Sequence, residues 1–475
     1  MGEARGMKPD AGAPATPEAQ RAALVMVVAN SFAQPLMLSS VTVALPSIAN
    51  DLALNAVTLS WVPLAFLLSS ASTVLSFGRL ADMFGRKRIF VLGAVGSMLS
   101  SLLLALAPNG PMLIGLRVLQ GISAAMLYAT QAAIVTSVYP PERRGQALGM
   151  IASGVYFGLT AGPLLGGWLV EHLGWRYAFV IHLPLTAAVL LFALPRVRGD
   201  WAAPERGAFD WRGALSYAGG IVAVITGATA LHGLQGAGLL LFGLALLVWF
   251  AREQRRGPQP LFEVNLFYTN RVFALSSLAA LLMYTTTFSV PVLASLHLQY
   301  LKGLSATDAG LVMFAQPLVV ALMSPLVGRL SDRVEPRVLA TAGVVITGFG
   351  LLALASLGPA SSLSRAAASL GLTGLGFSLF AVTNVSAIMG AIGRGQQGAA
   401  SSAVAAMRVL GQVCSMGLVA TAFSLTMGDA AIRPETYPAL ARALAISFGL
   451  AAALCLPCAL CSLARGQLRP PAPSA

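Results

Sequence analysis

Few residues in this 475-residue chain can hold a charge or pass a proton: 17 Asp and Glu, 30 Lys and Arg, four His and four Cys. Arg117 is the most demanding of them, because it stands inside the apolar stretch LIGLRVLQGISAAMLYA. A guanidinium in hydrocarbon is costly and usually faces a cavity or a partner, with a structural ion pair as the alternative reading. A second cluster is GRLADMFGRKR, Gly78 to Arg88, with Arg79, Asp82, Gly85, Arg86, Lys87 and Arg88 packed between two apolar runs. Basic residues in such a loop follow the positive-inside rule. That rule leaves the lone acid Asp82 without a role, whereas a carboxylate at a loop can dock on the positive end of a facing helix. No carboxylate falls in the middle of an apolar run. Asp51, Glu171 and Asp308 lie toward one set of ends, and Glu142, Asp210, Glu253, Glu263, Asp332 and Glu335 toward the other. Histidine is the next proton carrier to consider; His182 is the candidate, while His172, His232 and His297 read as helix-end or loop residues. Cys455, Cys458 and Cys461 have metal-like spacing, but no second segment supplies partner ligands. They and Cys414 read as small helix residues, and neither a metal nor a cofactor is expected.

The elements that must position these groups are set by composition. The chain is 57% hydrophobic and 10% charged, far below the roughly 25% charge of soluble domains. Apolar runs long enough to cross a bilayer as helices recur throughout, without the alternation of a membrane barrel. Spans are expected near 22–46, 58–77, 89–107, 112–138, 146–170, 177–194, 213–231, 237–251, 272–296, 306–327, 338–356, 366–390, 399–424 and 438–463. The fold class is therefore all-α, polytopic, with about fourteen transmembrane helices, and 237–251 is the shortest of them. The even count puts both termini on one side. Most Lys and Arg fall in the loops of that side, which predicts cytoplasmic termini. The net charge of +13 belongs to these short loops, so nucleic acid is not a partner. Residues 1–21 and 464–475 read as cytoplasmic tails, and Arg408 as a residue near the cytoplasmic interface whose long side chain reaches water.

The loop motif has an echo. GRLSDR, Gly328 to Arg333, again follows an apolar span and includes Arg329 and Asp332. Two homologous halves with the substrate site at their interface are a transporter arrangement. The expected units are a six-helix bundle at 22–194, a linker with two inserted helices at 195–271, and a second six-helix bundle at 272–463.

These motifs resemble the major facilitator superfamily, and more narrowly its fourteen-helix drug:proton antiporters. GRLADMFGRKR is similar to the signature loop between helices 2 and 3. RVLQGISAA, Arg117 to Ala125, is similar to the fourth-helix pattern. Gly149, Gly158, Gly162, Pro163, Gly166 and Gly167 match the glycine–proline pattern of the antiporter fifth helix, and VALPSI, WRYAFVIHLP, FDWRGALSY and LHLQYLKGLSATDAGL extend the likeness over nearly the whole membrane part. The resemblance implies alternating access and a latch formed by Gly78, Arg79, Asp82, Gly85 and Arg86 with Gly328, Arg329 and Asp332. It implies a proton-coupling role for Arg117, with Asp82 and His182 as further candidates, and a sealing face on helix 5. Small residues let that helix approach its neighbours closely.

One departure stands out. Most members of this branch carry an aspartate in helix 1, in a stretch resembling LDxTVVNVALP; here the stretch is LMLSSVTVALP, with Met37 in the acid's place and Thr42 in that of the usual asparagine. Helix position suggests a pocket of Gln34, Trp61, Phe66, Gln120, Tyr128, Tyr156, Tyr284, Gln316, Asn384 and Gln412. Aromatic walls with a few polar groups suit amphipathic ligands, and the missing acid favours neutral or anionic ones. The expected activity is export of a hydrophobic small molecule, a drug or metabolite, in exchange for protons across a bacterial plasma membrane, by a single chain working alone. The alternatives are a proton-independent facilitator or importer, and a membrane sensor that transports nothing. No G-x-x-x-x-G-K nucleotide loop is present, which argues against an enzyme or an ATP-driven pump.

Overall fold

The computed structural model describes residues 17–197, 209–230, 233–256, 261–262, 264–331, 333–392, 397–428 and 430–466. Among the described residues, fourteen long helices run antiparallel in chain order. They are α1 (Pro17–Asp51), α2 (Ala56–Phe84), α3 (Arg86–Ala105), α4 (Gly110–Val138), α5 (Pro141–His172), α6 (Tyr177–Arg196), α7 (Trp211–Thr229), α8 (Leu234–Arg256), α9 (Arg271–Leu301), α10 (Ala306–Ser331), α11 (Pro336–Ala355), α12 (Leu363–Gly390), α13 (Gln397–Thr426) and α14 (Tyr437–Ala464). The β-pairing among the described residues is one isolated bridge, Asn55 to Ala431. Thirteen of these helices are long and apolar enough to cross a membrane. The exception is α7, not the short span 237–251: α8 extends to 23 residues, while the 19 residues of α7 begin Trp-Arg-Gly and include Ser216, Tyr217, Thr226 and Thr229. The ends where α1 begins are called the N-terminal face below, and the opposite ends the far face.

Local chemistry explains the boundaries. Helix starts need side-chain acceptors for their free N–H groups. Asn55 accepts from Thr58 N at 2.7 Å, Asn109 from Met112 N at 3.0 Å, Asp210 from Gly213 N at 2.8 Å and Asn270 from Phe273 N at 2.9 Å. The α2–α3 junction turns on Gly85, whose φ of 109° a side chain would resist. Inside the spans, hydroxyls donate back to the preceding turn, as Ser40 does to Leu36 O at 2.8 Å and Thr285 to Leu281 O at 2.8 Å. The backbone thus satisfies polar atoms that lipid cannot.

Helices α1 to α6 pack among themselves, α1 on α5, α2 on α4 and α3 on α4; α9 to α14 do likewise, α11 on α12 and α14, and α9 on α13. The two groups meet where α2 crosses α13 and α5 crosses α10. Helices α7 and α8 form a tight hairpin: a Cβ on Gly243 would sit 2.6 Å from Val224 N, and one on Gly227 2.5 Å from Leu240 N. Helix α7 leans on α2 and α13, with Thr421 Oγ1 donating to Ala228 O at 3.1 Å.

Candidate functional site

Arg117 is fully enclosed inside the first group of helices. Its Nε donates to Val62 O at 2.9 Å and its Nη1 to Gln120 Oε1 at 2.5 Å; Nη1 also lies 4.0 Å from Met37 Sδ. The Phe66 and Phe179 rings lie 4.6 and 5.7 Å from the guanidinium carbon, within cation–π range. Gln120 Nε2 donates to Ser101 Oγ at 2.6 Å. A second chain runs beside it: Gln34 Nε2 donates to Ser97 Oγ at 3.0 Å, and Ser97 Oγ lies 3.4 Å from His182 Nε2. Arg117 Nη2 and His182 Nδ1 are buried with no protein partner. The thioether of Met37 therefore sits where a carboxylate would neutralise Arg117. Gln34, Phe66 and Gln120, expected in the pocket, are instead turned into the bundle: the two glutamines by hydrogen bonds to buried serines, and Phe66 by its ring contact with the Arg117 guanidinium. Asn384 is a parallel correction: it is buried in the second group of helices, donating to Ser276 O at 3.0 Å.

The other partner of Asn384 has no counterpart among the expected site residues. Arg465, which the sequence places in the C-terminal tail, is 1% exposed, and its Nη1 donates to Asn384 Oδ1 at 2.8 Å. Burial lowers this guanidinium from its ordinary value to about 10. An arginine just beyond a helix end reads as solvated in a sequence, and nothing local marks its return into the bundle.

Helix α5 carries two packing faces rather than one. Gly158, Gly162 and Gly166 lie on α1; an added Cβ at Gly158 would meet Phe32 O and Leu36 N, and one at Gly166 would sit 2.6 Å from Ser40 Cα. Gly154, outside the expected pattern, joins them at 2.9 Å from Val28 O. Pro163 and Gly167 lie on α10, where a Cβ on Gly167 would sit 2.6 Å from Ala306 O and one on Gly310 would meet Pro163 O. The α10 face continues at helical spacing through Thr160, Tyr156, Ala152, Gly149 and Gly145. Thr160 Oγ1 still reaches Pro317 O at 3.5 Å, but Ala152, Gly149 and Gly145 are exposed and a Cβ on either glycine would meet nothing within 4 Å. The seam is closed at the far face and open at the N-terminal face. Hydrogen bonds between the two groups of helices reinforce the closed end. Gln299 Nε2 donates to Val43 O at 2.9 Å, Tyr300 OH lies 3.2 Å from Pro46 O and Asn50 Oδ1, and Thr307 N donates to Glu171 Oε2 at 3.1 Å.

At the N-terminal face, Asp82 Oδ1 accepts from Arg86 Nε at 2.9 Å and Nη2 at 2.8 Å. Arg86 Nη1 continues to Ala133 O at 3.0 Å and Ser137 Oγ at 2.6 Å on α4. In this conformation the acid is held within its own group of helices. Gly78 and Gly328 face open space; Arg79 and Arg329 flank them, and Asp332 lies outside the described residues.

Of the expected pocket, Trp61, Tyr128, Tyr156, Tyr284, Gln316 and Gln412 are half-buried. The Tyr284 ring meets Phe377 edge-on at 5.6 Å. Arg408 is half-buried eleven residues into α13, and its charge acts on Tyr128, Tyr156 and Tyr284. It therefore stands deeper than an interfacial arginine would. Separately, an open apolar groove between α1, α5 and α6 is bordered by side chains including Phe32, Met150, Phe157 and Leu185.

The pattern of the Major Facilitator Superfamily matches residues 27–416 and, overlapping it, 275–474. The chain is 28% identical to the riboflavin transporter RibZ of Clostridioides difficile (strain 630), over 82% of this chain and 84% of that protein. It is 31% identical to the multidrug resistance protein Stp of Mycobacterium tuberculosis (strain CDC 1551 / Oshkosh), over 80% of this chain and 71% of that one. In fold it is similar to a bacterial homologue of the human lysosomal transporter Spinster, solved inward-facing and unoccupied, with a TM-score of 0.65 at 19% identity over 95% of this chain and 97% of that one. The chain is a polytopic membrane transporter for a small-molecule substrate, not an enzyme, and belongs to the major facilitator superfamily.

Proposed function

We propose that the protein exports a hydrophobic or amphipathic small molecule, a drug or a metabolite, across a bacterial plasma membrane by alternating access, in exchange for protons. The units that move are the bundles 22–194 and 272–463, joined by a linker that carries α7 and α8. The basic loops support a cytoplasmic N-terminal face. The observation that carries this reading is the α5–α10 seam: one continuous helix face is packed at one end and exposed at the other. Rocking about the packed part would close the exposed residues and open the far face, which is how a fixed central site is presented to each side in turn. The kinship with a multidrug resistance protein supports export. Both bundles lie in one chain, so a monomer suffices. On closing, Asp82 and Arg86 would meet the Gly328–Asp332 loop and latch the cytoplasmic side.

Proton exchange needs a group that titrates as access alternates. His182 is the candidate the geometry favours: it is buried and lies 3.4 Å from Ser97 Oγ, in the hydrogen-bonded chain that runs beside Arg117. A second reading is a proton-independent facilitator. Its support is specific, namely that Arg117 is met by a carbonyl, an amide, a thioether and two rings, with no carboxylate. Everted membrane vesicles energised to an acid interior separate the two. Antiport requires proton release on adding substrate, reduced at least tenfold in His182→Gln and Arg117→Ala. Substrate movement without proton release would leave the facilitator.

A further inference from the structure

Arg408 occupies a place that the antiport reading leaves unexplained. It belongs to α13, while Tyr284 belongs to α9, Tyr156 to α5 and Tyr128 to α4, so each group of helices contributes two of the four residues. Arg408 is eleven residues into α13, Tyr284 thirteen into α9, Tyr156 fifteen into α5, and Tyr128 ten residues before the end of α4. At about 1.5 Å rise per residue these positions fall at about 15–23 Å from the N-terminal face, a common depth inside the bundle. The wall is fixed where Gly411, one turn beyond Arg408, approaches Tyr284 so closely that a Cβ would lie 2.7 Å from the tyrosine Cβ.

Among the described residues Arg408 makes no hydrogen bond or ion pair, and the three tyrosine hydroxyls donate to no protein acceptor. The described carboxylates lie at helix ends, away from this level. Arg408 is half-buried, so its guanidinium keeps free donors and stays within reach of a ligand. A guanidinium also presents a planar fork suited to carboxylate, sulfonate or phosphate oxygens. Aromatic rings beside it offer faces to a flat apolar body.

We propose that Arg408, with the hydroxyls of Tyr128, Tyr156 and Tyr284, receives the anionic group of an amphipathic aromatic substrate at the interface of the two bundles. The proposal deepens the transport reading above and rests on it for the words "substrate" and "interface". It assigns Arg408 to ligand binding and leaves Arg117, enclosed within one bundle, to coupling and packing. The open apolar groove between α1, α5 and α6 is a different place, where a neutral probe would bind without regard to Arg408.

The test is equilibrium binding to the full-length protein in nanodiscs of three probes that share a ring system: 2-naphthalenesulfonate, 2-naphthamide and a naphthyl trimethylammonium cation. The sulfonate should bind at least tenfold more tightly than the other two. Arg408→Gln should abolish that preference while keeping the amide affinity, Arg408→Lys should restore part of it, and Tyr156→Phe should weaken the sulfonate a few-fold. If Arg408→Gln fails to fold, the amide is lost too, and the lysine variant then decides: it must still prefer the sulfonate. Equal binding of the three probes, a preference that survives Arg408→Gln, or displacement of the sulfonate by chloride at equal potency overturns the proposal. Transport assays keep the two levels apart. Export of neutral compounds without any anion preference removes this site and leaves the exporter. Arg408-dependent sulfonate binding by a protein that transports nothing removes the exporter and leaves an anion-binding membrane protein.

Discussion

Two glycines on one helix should respond oppositely to substitution, because α5 has one permanently packed face and one that opens. At Gly158 a methyl group would meet Phe32 O, with Leu36 N at 3.1 Å and Phe32 C at 3.2 Å behind it. All three are backbone atoms, so no side-chain rotation relieves the overlap and α1 and α5 must separate. Overpacking of this kind costs about 1–3 kcal/mol, and the gain in helix propensity on replacing glycine by alanine returns roughly 0.5–1 kcal/mol. Gly158→Ala should therefore lower stability, by about 1 kcal/mol and at most about 2.5 kcal/mol. At Gly149 nothing lies within 4 Å. Gly149→Leu should leave stability unchanged or raise it by up to about 1 kcal/mol. Its effect appears when the seam closes. On α10, Ala306 faces Gly167, Gly310 faces Pro163 and Pro317 lies near Thr160, so the antiparallel register continued along the two helices sets Gly149 opposite the stretch 324–328. A leucine there adds about 1–3 kcal/mol to the closed state alone, which is a factor of roughly 5–150 in its population. Thermal unfolding in detergent, with transport in proteoliposomes, reads both effects: Gly158→Ala should lower Tm, and Gly149→Leu should cut transport by at least about fivefold at unchanged or higher Tm. Wild-type transport by Gly149→Leu would refute the closing seam, and an unchanged Tm for Gly158→Ala would refute the packing.

The closed end yields a second expectation. Gln299→Ala with Tyr300→Phe removes the far-face bonds to Val43, Pro46 and Asn50; at about 1 kcal/mol each, a cysteine placed at the far face should label at least tenfold faster. Arg465→Met leaves Asn384 Oδ1 without its 2.8 Å donor and should lower stability by about 1–3 kcal/mol in chemical denaturation. Because burial lowers the Arg465 guanidinium only to about 10, that loss should not vary between pH 5 and 9. In the wild type the unfolded chain holds the extra proton above about pH 10, so this group makes stability rise with pH only in that alkaline range. Asp51→Asn breaks an exposed 2.9 Å ion pair with Arg176 and should change stability by less than about 1 kcal/mol.

The architecture was legible because hydrocarbon demands long apolar helices, and thirteen of the expected spans stand as such. The exception, α7, holds its place by packing its glycines against α8, which hydropathy does not register. The family motifs were legible as residue types, but their partners were not. Gln34, Gln120 and Asn384 looked like pocket residues because polar side chains on spans usually face a cavity; here each meets a buried donor or acceptor on another helix. The two faces of α5 were hidden for a related reason: glycine spacing shows that a helix is smooth, but not which neighbour each glycine meets. Arg408 reads as interfacial because distance from a helix end, rather than its neighbours, is the signal a sequence offers.

The most direct test of alternating access is a pair of spin-label distances measured in liposomes, with and without 2-naphthalenesulfonate. One pair, Gln146→Cys with Arg329→Cys, spans the α5–α10 seam at the N-terminal face. The other, Leu173→Cys with Leu311→Cys, spans it near the far face. The account predicts reciprocal populations: a long first distance with a short second one, matching the present structure, exchanging with a short first distance and a long second one as ligand is added or removed. Both distances staying fixed under every condition, or lengthening together, would contradict it.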